Sequence, residues 1–298
     1  MRKQSSMLAR ATRAAEVYFR VTKPRVWWLL VFTGVGGLFL GTRGIPTIEN
    51  FIYVLIVLIS GSAGAETIAN YLEIDIDRLM RRTMNRPLPL GLIYPPEKAL
   101  AFGIVLISIS ILLAFSLNIY VVIFLIFGII DYVIIYVMLA KRRTPLNILF
   151  GSFAGGAPAI IGYVAATNQI AVEGFIIAAL VVLWIPSHVW SLALRYKDDY
   201  ARANIPMMPI RLSERKAVRC IASTAFLMFI FSVMLYLIDP QIFGLIYLGI
   251  TLSSGVILLY LSLRLFLSPT QTNMWRLFKF SSPHLALIFL AIIIDSLL

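Results

Sequence analysis

Nine apolar runs long enough to cross a lipid bilayer recur along this chain, at residues 26–41, 51–72, 99–117, 119–140, 146–166, 173–194, 217–238, 242–263 and 280–298. A crossing helix needs roughly 20 mainly apolar residues. Inside hydrocarbon every backbone N–H and C=O must bond within its own segment. The fold class expected is therefore all-α, a polytopic membrane protein with nine transmembrane helices and polar loops capping one side. With 60% hydrophobic residues, the chain leaves little sequence for a separate soluble domain. The expected organisation is a segment at 1–25 followed by a single membrane domain at 26–298.

The formal charge of +12 would suit a nucleic-acid binder if the basic residues formed one patch. They do not. Of the 26 Lys and Arg residues, all but Arg43 lie before the first run or around the loops that follow runs two, four, six and eight. Such one-sided placement is the positive-inside pattern. It puts the N-terminus in the cytoplasm and the C-terminus outside, supports the odd helix count, and argues against nucleic acid as a partner. The first 20 residues are Arg-rich with one acid, Glu16, as in a mitochondrial presequence. Because Lys23-Pro24-Arg25 already begins the membrane core, we read them as an amphipathic lead-in and expect a cell membrane rather than the mitochondrial inner membrane. The lone Cys220 excludes an intrachain disulfide and a multi-cysteine metal site.

Carboxylates at the ends of lipid-crossing helices are costly and mark sites. In the second run Glu66, Asn70, Glu73 and Asp77 fall on one helical face, and Asp75 points away from it. In the sixth, His188, Arg195 and Asp199 share a face, with Asp198 beside them. Both acidic ends lie on the cytoplasmic side, where oxygen-rich clusters suit Mg²⁺ and a phosphorylated substrate. Each is followed by an Asn-x-Pro loop, Asn85-Arg86-Pro87 and Asn204-Ile205-Pro206, which hints at a parallel internal duplication. Lys23, Arg25, Arg82, Arg86, Lys141, Arg142 and Arg143 are placed to grip phosphate. Tyr136 and Asn147 flank the Lys141–Arg143 group.

Trp184, Pro186, His188 and Trp190 make a kinked aromatic segment, in which His188 could ligate iron or hydrogen-bond a substrate. Asp131 needs a partner or an aqueous cavity and receives no role. His284 is expected near the cytoplasmic start of the ninth helix, solvated. Gly151, Ala154, Gly155, Gly156 and Ala157 are spaced for close helix packing. No phosphate-loop, serine-nucleophile or HExxH motif occurs, which disfavours an ATP-driven pump.

Four blocks resemble the UbiA superfamily of intramembrane prenyltransferases, and within it the heme-farnesylating branch. They are Thr22–Arg25; Asp75–Leu88; Tyr136–Ile148 with Gly155–Pro158; and Trp184–Trp190 continuing through Lys197–Tyr200 to Ile205–Pro209. A weaker fifth is Leu277–Ser281. Where the superfamily's first motif reads Asn-Asp-x-x-Asp-x-x-x-Asp, this chain has Ala69, Asn70, Glu73 and Asp77, and Ser187 stands where a proline is usual. The resemblance implies transfer of a farnesyl group from farnesyl diphosphate to a vinyl group of heme b with addition of water, giving heme O. It implies Mg²⁺ on Glu73, Asp77, Asp198 and Asp199, with Asn70 beside them, and phosphate contacts from Lys23, Arg25, Arg82, Arg86, Lys141 and Arg142. It also implies substrate contacts from Tyr136, Asn147 and His188, and a downstream heme A synthase or oxidase assembly partner.

Competing readings are a sister prenyltransferase acting on an aromatic or quinone precursor, a membrane transporter, and a non-catalytic heme-handling protein. The His188 and Asp198-Asp199 blocks argue against the first. Acids at helix ends rather than at the bilayer centre argue against the second, which Glu66 and Asp131 keep open.

Overall fold

The computed structural model describes residues 2–298, with side chains from residue 11 onward. Helix α1 (Arg2–Val21) precedes the bundle. Nine helices among the described residues are long and apolar enough to cross a membrane: α2 (Pro24–Thr42), α3 (Ile48–Leu72), α5 (Glu97–Leu117), α6 (Ile119–Ala140), α7 (Asn147–Thr167), α8 (Val172–Arg195), α11 (Glu214–Ile238), α12 (Leu245–Leu267) and α13 (Gln271–Asp295). Three short helices, α4 (Ile74–Leu79), α9 (Lys197–Arg202) and α10 (Met208–Arg211), lie in the polar loops. The spans agree with the apolar runs to within a few residues except the last. There α13 begins at Gln271, where the Thr270 side chain accepts the Asn273 amide. Arg276 and Lys279 in its first turns make the sequence look like loop, but a capped helix carries such charges beyond the hydrocarbon. The earlier start corrects the place of His284. It lies well inside α13, fully buried, with Nδ1 2.9 Å from Ser254 Oγ.

Helices cross closely where glycine removes the side chain. A Cβ on Gly162 would lie 1.8 Å from the Gly34 carbonyl oxygen, and one on Gly37 would lie 2.0 Å from that of Ala159, so α2 and α7 touch backbone to backbone. In the run read as packing residues, Gly155 abuts Ile185 of α8 and Gly151 abuts the Tyr136 ring of α6. Large apolar side chains such as Ile104, Leu112, Phe153 and Val256 point outward, as lipid contact requires. Asp131 accepts the Ala154 amide of α7 at 2.8 Å and so ties α6 to α7.

Two irregularities position the polar residues. Helix α6 runs in wider π-type turns from Ile130 to Ala140, and the Lys141 amide donates to the Tyr136 carbonyl. Helix α3 ends at Glu73, whose backbone leaves helical geometry before α4 begins. Helix α8 breaks in the same way at Tyr196 before α9. The two acidic ends therefore share one backbone plan. The end of α1 packs over the first of them, with Val17, Tyr18 and Val21 against Leu88, Ile93 and Phe102.

Candidate active site

The α3 stripe keeps its common face through the break at Glu73, because Glu73 N–H still donates to Ala69 and Asp77 N–H to Glu73. Glu66, Asn70, Glu73 and Asp77 are each less than a tenth exposed. Buried carboxylates require partners, and each acid here has a cation. Lys23 Nζ lies 2.9 Å from Glu66 Oε2. Lys141 pairs with Glu73. Arg86 Nη1 donates to both Asp77 oxygens at 2.9 and 2.8 Å, and reaches Asn70 Oδ1 at 3.4 Å. Asn70 donates to the Val21 carbonyl at 2.5 Å, which holds the lead-in helix on the stripe. Lys23 has left-handed backbone (φ 52°) just before Pro24, which turns its side chain back under the bundle.

The second acidic end joins the first through one residue. Asp199 is buried and accepts the Arg82 backbone amide at 3.0 Å and Arg202 Nη2 at 2.8 Å. Arg82 also lies over the Tyr196 ring, 5.7 Å from its centroid. Asp198 does not join the cluster. It is exposed on α9, one helical step of about 100° from the buried Asp199.

These groups line two adjoining cavities. The smaller, about 80 Å³, is bounded by Glu73, Asp77, Arg86, Lys141, Tyr132 and Tyr200. The larger, about 430 Å³, runs into the bundle between α2, α3, α6, α7 and α8 and is lined by Trp27, Leu58, Tyr136, Ile161, Trp184 and His188. Lys23, Arg82, Arg86 and Lys141 border both. Arg25, exposed, sits at the edge of the larger one.

The two lysines are shifted in opposite directions. Burial acts to lower the Lys141 pKa, but the Glu73 carboxylate beside it outweighs burial and holds the ammonium charged, well above the usual lysine value. Lys23 shifts the other way. Desolvation by burial lowers its pKa, opposed by Glu66 and assisted by Arg86.

Two residues expected at substrate lie elsewhere. Arg142 forms a two-pronged pair with Asp75 at 2.7 and 2.8 Å on the outer surface and donates to the Leu72 carbonyl. Its fork is already filled, and it lines neither cavity. Asn147 is fully buried and donates to the Lys141 carbonyl at 3.3 Å, so it braces the turn that carries Lys141. Tyr132 lines the cavities without a signal in the sequence, and Tyr200 and Phe278, which fall in the Lys197–Tyr200 and Leu277–Ser281 blocks without an expected role, line them too. The π-type turns that bring Tyr132 against Tyr136, at 5.8 Å, have no reliable sequence signal.

The model of the UbiA prenyltransferase family matches residues 29–291. The chain belongs to that family. Among its relatives, the protoheme IX farnesyltransferase of Desulforudis audaxviator is 40% identical over 94% of this chain and 88% of its own length. That of Thermoplasma volcanium is 42% identical over 93% and 96%. The solved structure of a digeranylgeranylglyceryl phosphate synthase shares the fold with a TM-score of 0.77 at 20% identity, covering 95% of this chain and 98% of that one. A UbiA homolog from Archaeoglobus fulgidus, bound to GPP and Mg²⁺, superposes with a TM-score of 0.64 at 14% identity over 93% and 99%. Nine apolar helices and UbiA membership make this a multi-pass membrane prenyltransferase of all-α fold.

The donor set fits a hard divalent cation. Mg²⁺ commonly takes one or two carboxylates and completes its shell with water and substrate phosphate oxygens. Glu73 and Asp77 offer buried carboxylate oxygens at the small cavity, and the buried Asp199 accepts the backbone amide of its lining residue Arg82, although no three acids converge on one point among the described residues.

Proposed function

We propose that this chain transfers the farnesyl group of farnesyl diphosphate to a vinyl group of heme b, with addition of water, in a Mg²⁺-dependent reaction that yields heme O for terminal oxidases. One observation carries this reading. A small chamber of buried acids and bases opens into an apolar, aromatic-walled cavity, in a chain 40% identical to a protein named protoheme IX farnesyltransferase. A diphosphate head fits the first and an isoprenoid tail the second.

The chemistry follows from that division. The allylic C–O bond breaks and diphosphate leaves with the electron pair. The vinyl π electrons then form the new C–C bond, and water adds to the resulting cation and loses a proton. Lys23, Arg82, Arg86 and Lys141 are the chain's own groups for binding the leaving anion, Arg through its fork and Lys as a point charge. Glu73, Asp77 and Asp199, with Asn70, would hold Mg²⁺, which when bound supplies charge neutralisation of the diphosphate. Tyr136 and Trp184 wall the tail and attract a carbocation through their ring faces, and the apolar lining excludes stray water.

The one-sided basic residues support a cytoplasmic chamber and N-terminus, an outer C-terminus and a cell-membrane location. Residues 26–298 would act as one catalytic unit behind the 1–25 lead-in. The product would pass to a heme A synthase or an oxidase assembly partner.

Protein purified in lipid is given heme b, farnesyl diphosphate and Mg²⁺, with an EDTA control, and the pigments are read by mass spectrometry. A metal-dependent product carrying farnesyl plus water is expected. Conversion with geranylgeranyl diphosphate alone would lengthen the donor. Failure with both donors would overturn the reading.

A further inference from the structure

The cavity ends on an aromatic column that begins at Trp184 and whose other members, His188, Phe278 and Trp275, the diphosphate chemistry does not use. Trp184, His188, Phe278 and Trp275 stack in sequence, with ring centroids 4.5, 4.4 and 5.1 Å apart and planes 24°, 26° and 17° from parallel. His188 is therefore sandwiched on both faces, and only its edge is free. One edge nitrogen, Nδ1, lies 2.7 Å from Ser281 Oγ. The Ser281 hydroxyl donates to the Phe278 carbonyl at 2.8 Å, so its oxygen is left to accept from Nδ1–H. That tautomer leaves Nε2 with a free lone pair on a ring that lines the large cavity, the arrangement of a metal-ligating histidine braced through its other nitrogen.

The outer end of the column carries positive charge with no carboxylate partner among the described residues. Arg195 lies 4.6 Å from the Trp275 ring centroid, and Lys279 lies 5.3 Å from it. Among the described residues Arg195 donates one hydrogen bond, to the Gln271 carbonyl at 3.3 Å, and also lies over the Tyr196 ring, 5.8 Å from its centroid. It follows His188 by seven residues on α8, about 10 Å along the helix on the same face. A flat ligand with a metal at its centre and two carboxylate arms on one edge matches this spacing of ligand and cations.

We infer that this column seats a metalloporphyrin, with its iron on His188 Nε2 and its propionates at Arg195 and Lys279, and that Ser281 is the positioning residue that aims the imidazole. The inference rests on the heme reading above. It adds an orientation, with the propionates at the polar surface and the opposite edge of the macrocycle, which carries the vinyl groups, directed into the bundle.

The test is heme binding without any isoprenyl diphosphate, so that no turnover intervenes. Protein in lipid nanodiscs is titrated with heme b and with its dimethyl ester, followed by visible absorption and electron paramagnetic resonance. Wild type is expected to show an imidazole-ligated iron. His188→Ala should lose that signature and regain it with added imidazole, and the regain also reports that the variant is folded. Ser281→Ala should weaken binding about tenfold, as loss of a ligand-orienting partner does, with Ser281→Thr restoring it. Arg195→Gln and Lys279→Gln should each weaken heme b up to about fivefold, the range of a partly exposed ion pair, and leave the dimethyl ester unchanged. Wild type that binds heme b without an imidazole signature, or with variants that treat acid and ester alike, overturns the seat. Wild type that binds no heme at all, yet releases diphosphate from farnesyl diphosphate, overturns the heme reading itself.

Discussion

At Glu73 and at Tyr196 a long membrane helix breaks for one residue and restarts as a six-residue helix carrying two acids. Each short helix leads to an Asn-x-Pro turn on the same face of the bundle. At the first turn the middle residue is Arg86, which holds Asp77. At the second it is Ile205, a buried apolar wall of the small chamber. Every buried acid of the first end thus has a cation, Glu66 with Lys23, Glu73 with Lys141 and Asp77 with Arg86 of its own loop. The second contributes one buried acid, Asp199, held by the first loop through Arg82 N–H. Two ends of similar outline have become a working half and a closing half. The difference lies in which side chain each turn presents.

That asymmetry can be broken experimentally. The largest effect is expected from Asp77→Asn, which keeps shape but removes one charge from the first end. Heme product should fall by roughly 100-fold or more, the scale of losing one preorganised electrostatic group. Membrane insertion and the gel-filtration profile should stay unchanged. At the second end Asp198→Asn, two residues after the break as Asp75 is at the first, alters an exposed acid and should leave the rate within about twofold, as surface changes usually do. Equal losses at both ends would erase the distinction.

Next in size, Arg86→Gln strands the buried Asp77 charge. It should lower unfolding stability by about 3 kcal/mol, the low end for breaking a buried pair. Arg202→Gln should cost less than about 1 kcal/mol, because Arg202 is 42% exposed and Asp199 keeps the Arg82 amide. Denaturation of both variants in the same detergent gives the comparison.

The smallest effect is expected at the exposed Asp75–Arg142 pair, where Arg142→Gln should change stability by no more than about 0.5 kcal/mol and leave the KM for farnesyl diphosphate unchanged. A KM raised severalfold would return Arg142 to the phosphate site. The hydrogen bond from Arg142 holds the Asp75 pKa below the usual carboxylate value. The small contribution of this pair is therefore present above that usual value and is lost as pH falls through the lowered one. Arg142→Gln should flatten acid unfolding only in that window.

The membrane architecture was legible along the chain because its causes are local. Span length, the alternation of basic loops and the one-face stripe of Glu66, Asn70, Glu73 and Asp77 are all written at short range. The exception, α13, starts at a Thr270 cap inside polar, uncharged sequence, where hydropathy gives no signal and hydrogen bonding does. Pairing was not legible. Arg142 and Lys141 are neighbours in one basic run, yet one meets Asp75 outside and the other Glu73 inside, because the π-type turn before them sets which way each faces. His284 read as solvated and is fully buried, and Asp198 read as a metal ligand and is exposed.

The sequence by itself determined that the chain carries nine helices long and apolar enough to cross a membrane among the described residues, that its basic residues gather in alternate loops, and which helix ends bear carboxylates. The tertiary structure alone decided which cation answers which acid, across separations of 43 residues for Lys23 with Glu66 and 117 for Arg82 with Asp199. The physical reason is one of range. Hydrophobicity and helical period act over a few residues, whereas a buried charge is satisfied by whatever the packed helices bring within about 3 Å of it.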